Sequence, residues 1–309
     1  MTDIQTIGIV GAGLMGTGIA EVAALAGFDV VLCKATPGSP LDARKRIEKS
    51  LAKAVERGKL TAEARDAALD RLMVTCERTA LAGVDLVIES IVEDLPAKQA
   101  LFAELIAIVG SRAIFASNTS TLRISEMACA RPDRTIGMHF FSPVPAMKLV
   151  ELVHLPGTDG EVLAAATRFL ARLGKTVVPV MDSSGFVVNR LLVPYLVGAI
   201  AAYEQGLARP DEIDTAMRLG CGHPVGPLAL CDLIGLDIVY AMAKLLFAEF
   251  HDVRYSPPAL LRRLTQQGHL GKKSGLGFFD YRKETVSAHE DVWALVRTGA
   301  FREIREHAA

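Results

Sequence analysis

Thr6-Ile7-Gly8-Ile9-Val10-Gly11-Ala12-Gly13-Leu14-Met15-Gly16 is the stretch that decides the fold. Thr6 to Val10 reads as a strand, and Gly11 to Gly16 then match G-x-G-x-x-G. From Leu14 to Ala26 the apolar spacing becomes helical, with Gly27 placed as a left-handed cap after the last turn. In a strand, turn and helix of this kind, the first glycine makes the tight turn and the second lets the backbone approach a pyrophosphate. The third lets helix and strand pack closely. The helix N-terminus adds unpaired N–H groups and a partial positive charge. A glycine-rich turn alone is common. In this setting it points to dinucleotide binding, with Gly11, Gly13, Leu14, Met15 and Gly16 as contacts.

Outward from that turn, the first half of the chain alternates short β-branched runs with helical patterns, which predicts a parallel sheet covered on both faces. Further strands are expected at Phe28 to Cys33, Asp85 to Ile88 and Ala113 to Ala116, and helices at Leu41 to Arg57, Thr61 to Leu72 and Pro96 to Val109. The middle helix pair is an insertion in a minimal βαβ unit. Its charged face, with Lys49, Lys53 and Arg57, is either a solvated surface or a clamp for an anionic group. From Thr135 the pattern changes to strands, Thr135 to Phe140, Met147 to His154 and, after a helix from Gly160 to Leu173, Thr176 to Val180. Beyond Ser183-Ser184-Gly185 nearly everything reads as helix, beginning with Phe186 to Gln205. The expected organisation is therefore a doubly wound α/β domain over 1–183 and an all-α domain over 184–309, with Val286 to Ala309 as one amphipathic helix.

Composition narrows the function classes. The 34 Lys+Arg against 35 Asp+Glu leave no electrostatic footprint for nucleic acid or an anionic membrane. The longest apolar run, Leu191 to Tyr203, is too short to cross a bilayer. The 5 cysteines are scattered without a C-x-x-C pair, which argues against a disulfide framework and a structural zinc site. The histidines show no metal-ligand spacing, so no metal is expected. Met1-Thr2-Asp3-Ile4-Gln5 lacks the basic and apolar segments of a secretion signal, and a cytoplasmic protein is expected.

The cofactor-specificity position is unusual. An acidic residue at the end of the second strand normally binds the adenosine ribose of NAD, but here that strand ends Val31-Leu32-Cys33-Lys34. Lys34 cannot accept a hydrogen bond. With Thr36 and Ser39 as donors it suits the 2′-phosphate of NADP, which tilts the expected cofactor, NAD or NADP, towards NADP. The alternative is a solvated lysine beside a ribose held by backbone alone.

Chemistry-bearing residues occur in several settings. Ser117-Asn118-Thr119-Ser120 follows a strand at the carboxyl edge where such sheets bind ligands. His139 ends another strand, Glu151 is a carboxylate in an apolar strand, and Asn189 opens the helical half. Oxidising a secondary alcohol needs a base for the hydroxyl proton, and histidine suits that role near neutrality. A buried carboxylate on the far imidazole nitrogen would fix the tautomer and stabilise the imidazolium. Ser120 and Asn189 can donate hydrogen bonds to a developing oxyanion. Each has a bland counterpart: a core histidine, a solvated strand glutamate, a polar turn. His223, in a turn before a helix, reads as a lining or capping residue.

Together these residues resemble the L-3-hydroxyacyl-CoA dehydrogenase family, in particular its bacterial 3-hydroxybutyryl-CoA branch. The resemblance rests on Gly8 to Gly16, Ser117 to Ser120, His139-Phe140-Phe141 with Pro143-Val144-Pro145, and Gly185 to Arg190. It continues through Gly226-Pro227 with Asp232 to Asp237, and Gly271 to Gly275 followed by Gly277-Phe278-Phe279. It implies a Rossmann domain followed by a helical domain through which the chain forms a homodimer, with an acyl-CoA thioester held in the cleft between them. It assigns catalysis to His139 and its partner Glu151, substrate oxygen binding to Ser120 and Asn189, and cofactor contacts to the glycine loop, Glu93, Lys98 and Asn118. Coenzyme A contacts fall on Ser50 and Arg57. The sequence departs from the family at Lys34, where an acidic residue is usual, and at Ser142, where asparagine is usual, near the nicotinamide or substrate. The tail beyond Lys283 runs past the family's usual end. The implied reaction interconverts a short-chain (3S)-3-hydroxyacyl-CoA and its 3-keto form, in fatty acid metabolism. The same chemistry on an acyl-carrier-protein thioester or a free 3-hydroxy acid, or a catalytically silent binding protein, are the alternatives.

Overall fold

The computed structural model describes residues 3–36, 38–128 and 131–298 and divides into two compact units, Met1–Phe186 and Val187–Ala309. The first unit is built on one 8-stranded sheet. In chain order its elements are β1 (Thr6–Val10), α1 (Leu14–Leu25), β2 (Asp29–Cys33), α2 (Leu41–Glu56), α3 (Ala62–Asp70), β3 (Leu72–Thr75), β4 (Leu86–Glu89), α4 (Leu95–Ile108) and β5 (Ile114–Ser117). There follow α5 (Ile124–Met127), β6 (Thr135–Phe140), β7 (Leu149–His154), α6 (Gly160–Arg172) and β8 (Thr176–Met181). The strand order is β3-β2-β1-β4-β5-β6-β7-β8. Every pair from β3 to β6 is parallel, and β7 runs antiparallel to β6. The order therefore reverses between β1 and β4, and the strands that flank this reversal end on one edge. In an open α/β sheet, that crevice is where ligands bind.

The hydrophobic runs explain the layering. β1, β4 and β5 are almost wholly buried, as parallel strands covered on both faces must be. One side packs Ile7, Ile9, Leu32 and Ile88 with the α1 residues Ile19 and Ala23, and the other packs Val87 and Phe115 with the α4 residues Leu101 and Leu105. Short polar caps fix the helix starts. Asp94 accepts from Ala97 N at 2.9 Å before α4, and Asp159 from Glu161 N at 2.9 Å before α6; each such cap stabilises by about 1 kcal/mol.

Two sequence expectations are corrected here. The helix expected through Leu72 stops at Asp70, and Leu72–Thr75 forms β3, paired in parallel with β2 from Val30↔Leu72 to Cys33↔Thr75. Four residues are too few to show a strand period, and pairing with an existing edge decides their conformation. The single helix expected over Val286 to Ala309 is also broken: Ser287–Ala288 pairs antiparallel with Phe279–Asp280, and a helix covers only Glu290–Thr298. Its remainder, 299–309, lies outside the described residues, as does Cys129.

The second unit contains α7 (Val188–Glu204), α8 (Pro210–Cys221), α9 (Pro227–Ile234), α10 (Leu236–Phe250), α11 (Ala259–Gln266), β9 (Phe279–Asp280), β10 (Ser287–Ala288) and α12 (Glu290–Thr298). Its core gathers Val193, Leu196, Ile200 and Tyr203 of α7 with Leu228, Val239, Leu246, Leu260 and Phe278. Two buried carboxylates fasten it. Asp214 accepts from Leu228 N and Ala229 N, both at 2.8 Å, and so caps α9. Asp232 accepts from Phe278 N at 3.0 Å and Phe279 N at 2.9 Å. A Cβ on Gly277 would lie 2.0 Å from Asp232 Oδ1, so Gly277 is dictated by the approach of that carboxylate. Burial pushes the Asp232 carboxyl up to about 7 against the pull of its two amide donors. Among the described residues, no helix is long and apolar enough to cross a membrane.

Candidate active site

The glycine turn leaves β1 at the reversal point. Gly11 has φ +117, and a Cβ there would lie 2.2 Å from Ser90 O; a Cβ on Gly16 would lie 1.7 Å from Gly11 O. Both glycines are thus demanded by backbone against backbone. Gly13 is different: a Cβ there would meet no heavy atom within 4 Å, so internal packing does not require it. Its place at the start of α1, which has neither a side-chain cap nor an acidic residue in its first turn, leaves the helix N–H groups to an outside acceptor. These features fit a dinucleotide pyrophosphate. At the end of β2, Lys34 Nζ lies 3.4 Å from Ser39 O. The end of β2 is tied to the turn by Gly11 N donating to Cys33 O at 2.9 Å.

Along the same edge, the ends of β4 and β5 carry a polar network built on two glutamates. Glu89, the last residue of β4, is fully buried and accepts from Ser117 Oγ at 2.5 Å, Lys98 Nζ at 2.6 Å and Ile91 N at 2.7 Å. Such a buried pair is tolerable only because its remaining lone pairs are also satisfied. Lys98, itself 1% exposed, also lies 3.4 Å from Glu93 Oε2. Glu93 Oε1 in turn accepts from Thr119 Oγ1 at 2.7 Å, Ser120 N at 3.0 Å, Ser120 Oγ at 3.2 Å, and Thr121 Oγ1 and N at 3.0 and 3.1 Å. Desolvation opposes ionisation of Glu93, but the Lys98 ammonium and these donors together outweigh it and hold the carboxyl below the usual range. Three residues expected at the cofactor or substrate, Glu93, Lys98 and Ser120, are thereby brought into one cluster. Asn118 joins that cluster to the next strand: its N–H donates to Glu89 O at 2.8 Å, and its Oδ1 accepts from Phe140 N at 2.9 Å.

His139 precedes Phe140 in β6. The antiparallel register sets His139 directly opposite Glu151 of β7, so the two side chains share a face of the sheet. Nδ1 of His139 lies 2.7 Å from Glu151 Oε2, with both side chains buried. A carboxylate only accepts, so Nδ1 is the donor, and in the neutral ring that tautomer leaves the lone pair on Nε2. Phe141 and Phe186 flank the imidazole, with ring centroids 4.4 and 5.7 Å away. The arrangement is that of a base held in one tautomer by a buried anion, in surroundings that strengthen their interaction.

The other expected residues are dispersed. Ser50 on α2 donates its hydroxyl to Glu21 of α1, whose carboxyl burial raises despite that bond. Arg57 is the exposed C-cap of α2, and Ser142 is an exposed residue between β6 and β7. Asn189, in the first turn of α7, belongs to the second unit and is 7% exposed. His223, also in that unit, has Nδ1 2.9 Å from Tyr195 Oη. Among the described residues, no group of three or more His, Cys, Asp or Glu side chains is placed to hold a metal ion. The sequence reading missed Glu89, although its signal, a carboxylate closing the apolar run Leu86-Val87-Ile88, is the one that singled out Glu151. It also missed Arg46, which reaches the glycine turn from α2.

A doubly wound sheet with a glycine turn at its reversal point, and a buried histidine–carboxylate pair on a neighbouring strand, define a dinucleotide-dependent oxidoreductase of the Rossmann type. The NAD-binding domain of 3-hydroxyacyl-CoA dehydrogenase matches residues 6–183, and the C-terminal domain of the same enzyme matches residues 185–281. The chain belongs to the 3-hydroxyacyl-CoA dehydrogenase family. It is 47% identical over 286 residues to a 3-hydroxybutyryl-CoA dehydrogenase of Mycobacterium tuberculosis, covering 91% of this chain and 100% of that one. The crystal structure of M. tuberculosis FadB2 is similar at a TM-score of 0.88 and 46% identity, covering 91% of this chain and 100% of that one. That of (S)-3-hydroxybutyryl-CoA dehydrogenase PaaH1 from Ralstonia eutropha is similar at 0.87 and 41%, covering 91% and 100%.

Proposed function

We propose that the chain interconverts a short-chain (3S)-3-hydroxyacyl-CoA and the corresponding 3-ketoacyl-CoA, with His139 moving the hydroxyl proton. The observation that carries this reading is the 2.7 Å contact of His139 Nδ1 with buried Glu151. The bound nicotinamide supplies the hydride acceptor or donor. In oxidation, His139 takes the proton of the 3-hydroxyl on Nε2 while Glu151 stabilises the imidazolium; in reduction the same nitrogen returns it. Glu93 accepts from the backbone N–H of Ser120 and so holds that residue in the turn, and Ser120 and Asn189 are assigned to the substrate oxygen. Ser50 and Arg57 are assigned to coenzyme A, and Ser142 to the substrate side of the nicotinamide. The short acyl chain is supported by likeness to enzymes named for 3-hydroxybutyryl-CoA.

For the cofactor, the reading is NADP over NAD, supported by Lys34 at the end of β2 beside the glycine turn. Self-association through the helical unit is supported by the exposed apolar side chains Leu191, Leu219 and Leu233; sedimentation of a monomer at micromolar concentration would remove it. The decisive assay follows acetoacetyl-CoA-dependent oxidation of NADH and NADPH by the full chain. Turnover with a larger kcat/KM for NADPH is expected. Absence of turnover with either coenzyme overturns the reaction, and a strong NADH preference overturns the cofactor reading alone.

A further inference from the structure

The NADP reading gives the 2′-phosphate one cation, Lys34, and the main chain brings a second to the same place. β1 and β2 are in parallel register up to Val10↔Cys33, and Gly11 N donates to Cys33 O at 2.9 Å. Ala12 is the next residue of the turn, as Lys34 is the next residue after β2. From α2, Arg46 Nη2 donates to Ala12 O at 2.6 Å. Lys34 Nζ lies 3.4 Å from Ser39 O, and a Cβ on Gly38 would come within 2.7 Å of that same Nζ. Ser39 Oγ then accepts from Leu41 N at 3.2 Å, where α2 begins.

A tie between a helix and a carbonyl needs one N–H donor and no charge. Arginine brings a planar cation with further donors, and the bond to Ala12 O fixes its orientation before any ligand arrives. Among the described residues no carboxylate pairs with Arg46; the nearby Glu48 is taken by Arg44 at 2.9 Å. In a dinucleotide-binding turn, the space between the end of the second strand and the residue after the first glycine is where the adenosine ribose lies. A phosphate on its 2′-oxygen would there meet cations from two sides.

We propose that Arg46 is a specificity-determining residue that, with Lys34, forms a two-sided clamp for the 2′-phosphate of NADP. The inference rests on the NADP reading and adds a residue to it. It is tested by isothermal titration calorimetry of the full-length wild type, Arg46→Ala, Arg46→Gln and Lys34→Asp with three probes: adenosine 2′,5′-bisphosphate, adenosine 3′,5′-bisphosphate and 5′-AMP. The wild type should bind the 2′,5′-bisphosphate more tightly than 5′-AMP. Arg46→Ala should lose about tenfold in affinity for the 2′,5′-bisphosphate, the loss of a charge-assisted contact, and much less for 5′-AMP. Arg46→Gln, which keeps an N–H donor without the charge, gives the same reading should the alanine variant fold poorly. Kinetically, the NADPH:NADH ratio of kcat/KM should fall by a similar factor in either variant.

An equal loss for 2′,5′-bisphosphate and 5′-AMP makes Arg46 a strut of the glycine turn and overturns the proposal. A loss confined to the 3′,5′-bisphosphate assigns the arginine to the coenzyme A end and also overturns it. A wild type with no preference for the 2′-phosphate removes both the NADP reading and the clamp, whereas a preference that survives in Arg46→Ala but not in Lys34→Asp removes the clamp alone.

Discussion

The two sides of the sheet's carboxyl edge are built in different ways. On the β1–β2 side the site is one continuous piece of chain, Gly11 to Gly16, and its geometry follows from glycines whose missing side chains allow backbone to touch backbone. On the β4–β7 side every functional group depends on a partner from another element: Glu89 on Lys98 and Ser117, Glu93 on the Thr119–Thr121 turn, and His139 on Glu151 across an antiparallel pair. The first side leaves the N–H groups at the start of α1 without a side-chain cap, as a phosphate site requires. The second holds carboxylates, Glu89 and Glu151 buried and Glu93 partly open, each bound to donors from another element. Binding of the coenzyme and movement of the proton are therefore separable by mutation, and kcat and KM should divide along this line.

Replacing the imidazole should break the division most forcefully. His139→Gln is expected to lower kcat about a thousandfold, the scale of general acid–base catalysis, with a far smaller change in dinucleotide affinity by fluorescence titration. An equal fall in both would mean that His139 is a packing residue. Glu151→Gln keeps an acceptor in reach of Nδ1 and removes the charge. Its kcat should fall by roughly a hundredfold, because the imidazolium formed during oxidation loses its counter-ion. An unchanged kcat would contradict the pairing. Gly16→Ala should act on the other side: with a Cβ 1.7 Å from Gly11 O the turn must shift, so KM for the coenzyme should rise on the order of tenfold or more, with a smaller change in kcat.

The last effect belongs to neither side of the edge and serves as a control on both. Asp232 holds its proton more tightly in the fold, near pH 7, than at its ordinary value of 3.8. Below that value folded and unfolded chains are both protonated. Above it the unfolded chain ionises first, so the contribution of Asp232 to stability is lost as pH rises to about 7. Relative to Asp232→Asn, the wild type should lose on the order of 1 kcal/mol per pH unit across that window, read from urea unfolding. A constant difference between the two proteins would show that the carboxyl does not titrate there.

How much of this was legible follows from the same contrast. The glycine turn, β1 and β6 could be read because signal and structure occupy the same short stretch. His139 and Glu151 were named from their residue types, but their meeting is a consequence of register, His139↔Glu151, which spacing does not encode. β3 was hidden in four residues whose conformation is set by pairing with β2. Arg46 was hidden because it sits on the same charged helix as Lys49 and Lys53, and only the fold lays that helix against Ala12. Conversely, Asp232, Gly271 and Gly277 carried part of the family resemblance and prove to be architecture. A Cβ on either glycine would strike Asp232.

The most direct measurement is the 15N NMR spectrum of His139, assigned by comparison with His139→Gln, in the wild type and in Glu151→Ala. The neutral ring should be protonated at Nδ1 and bare at Nε2 in the wild type, with that tautomer depopulated once the carboxylate is gone. A wild-type ring protonated at Nε2, or a tautomer indifferent to residue 151, would leave no base facing the alcohol and would contradict the account.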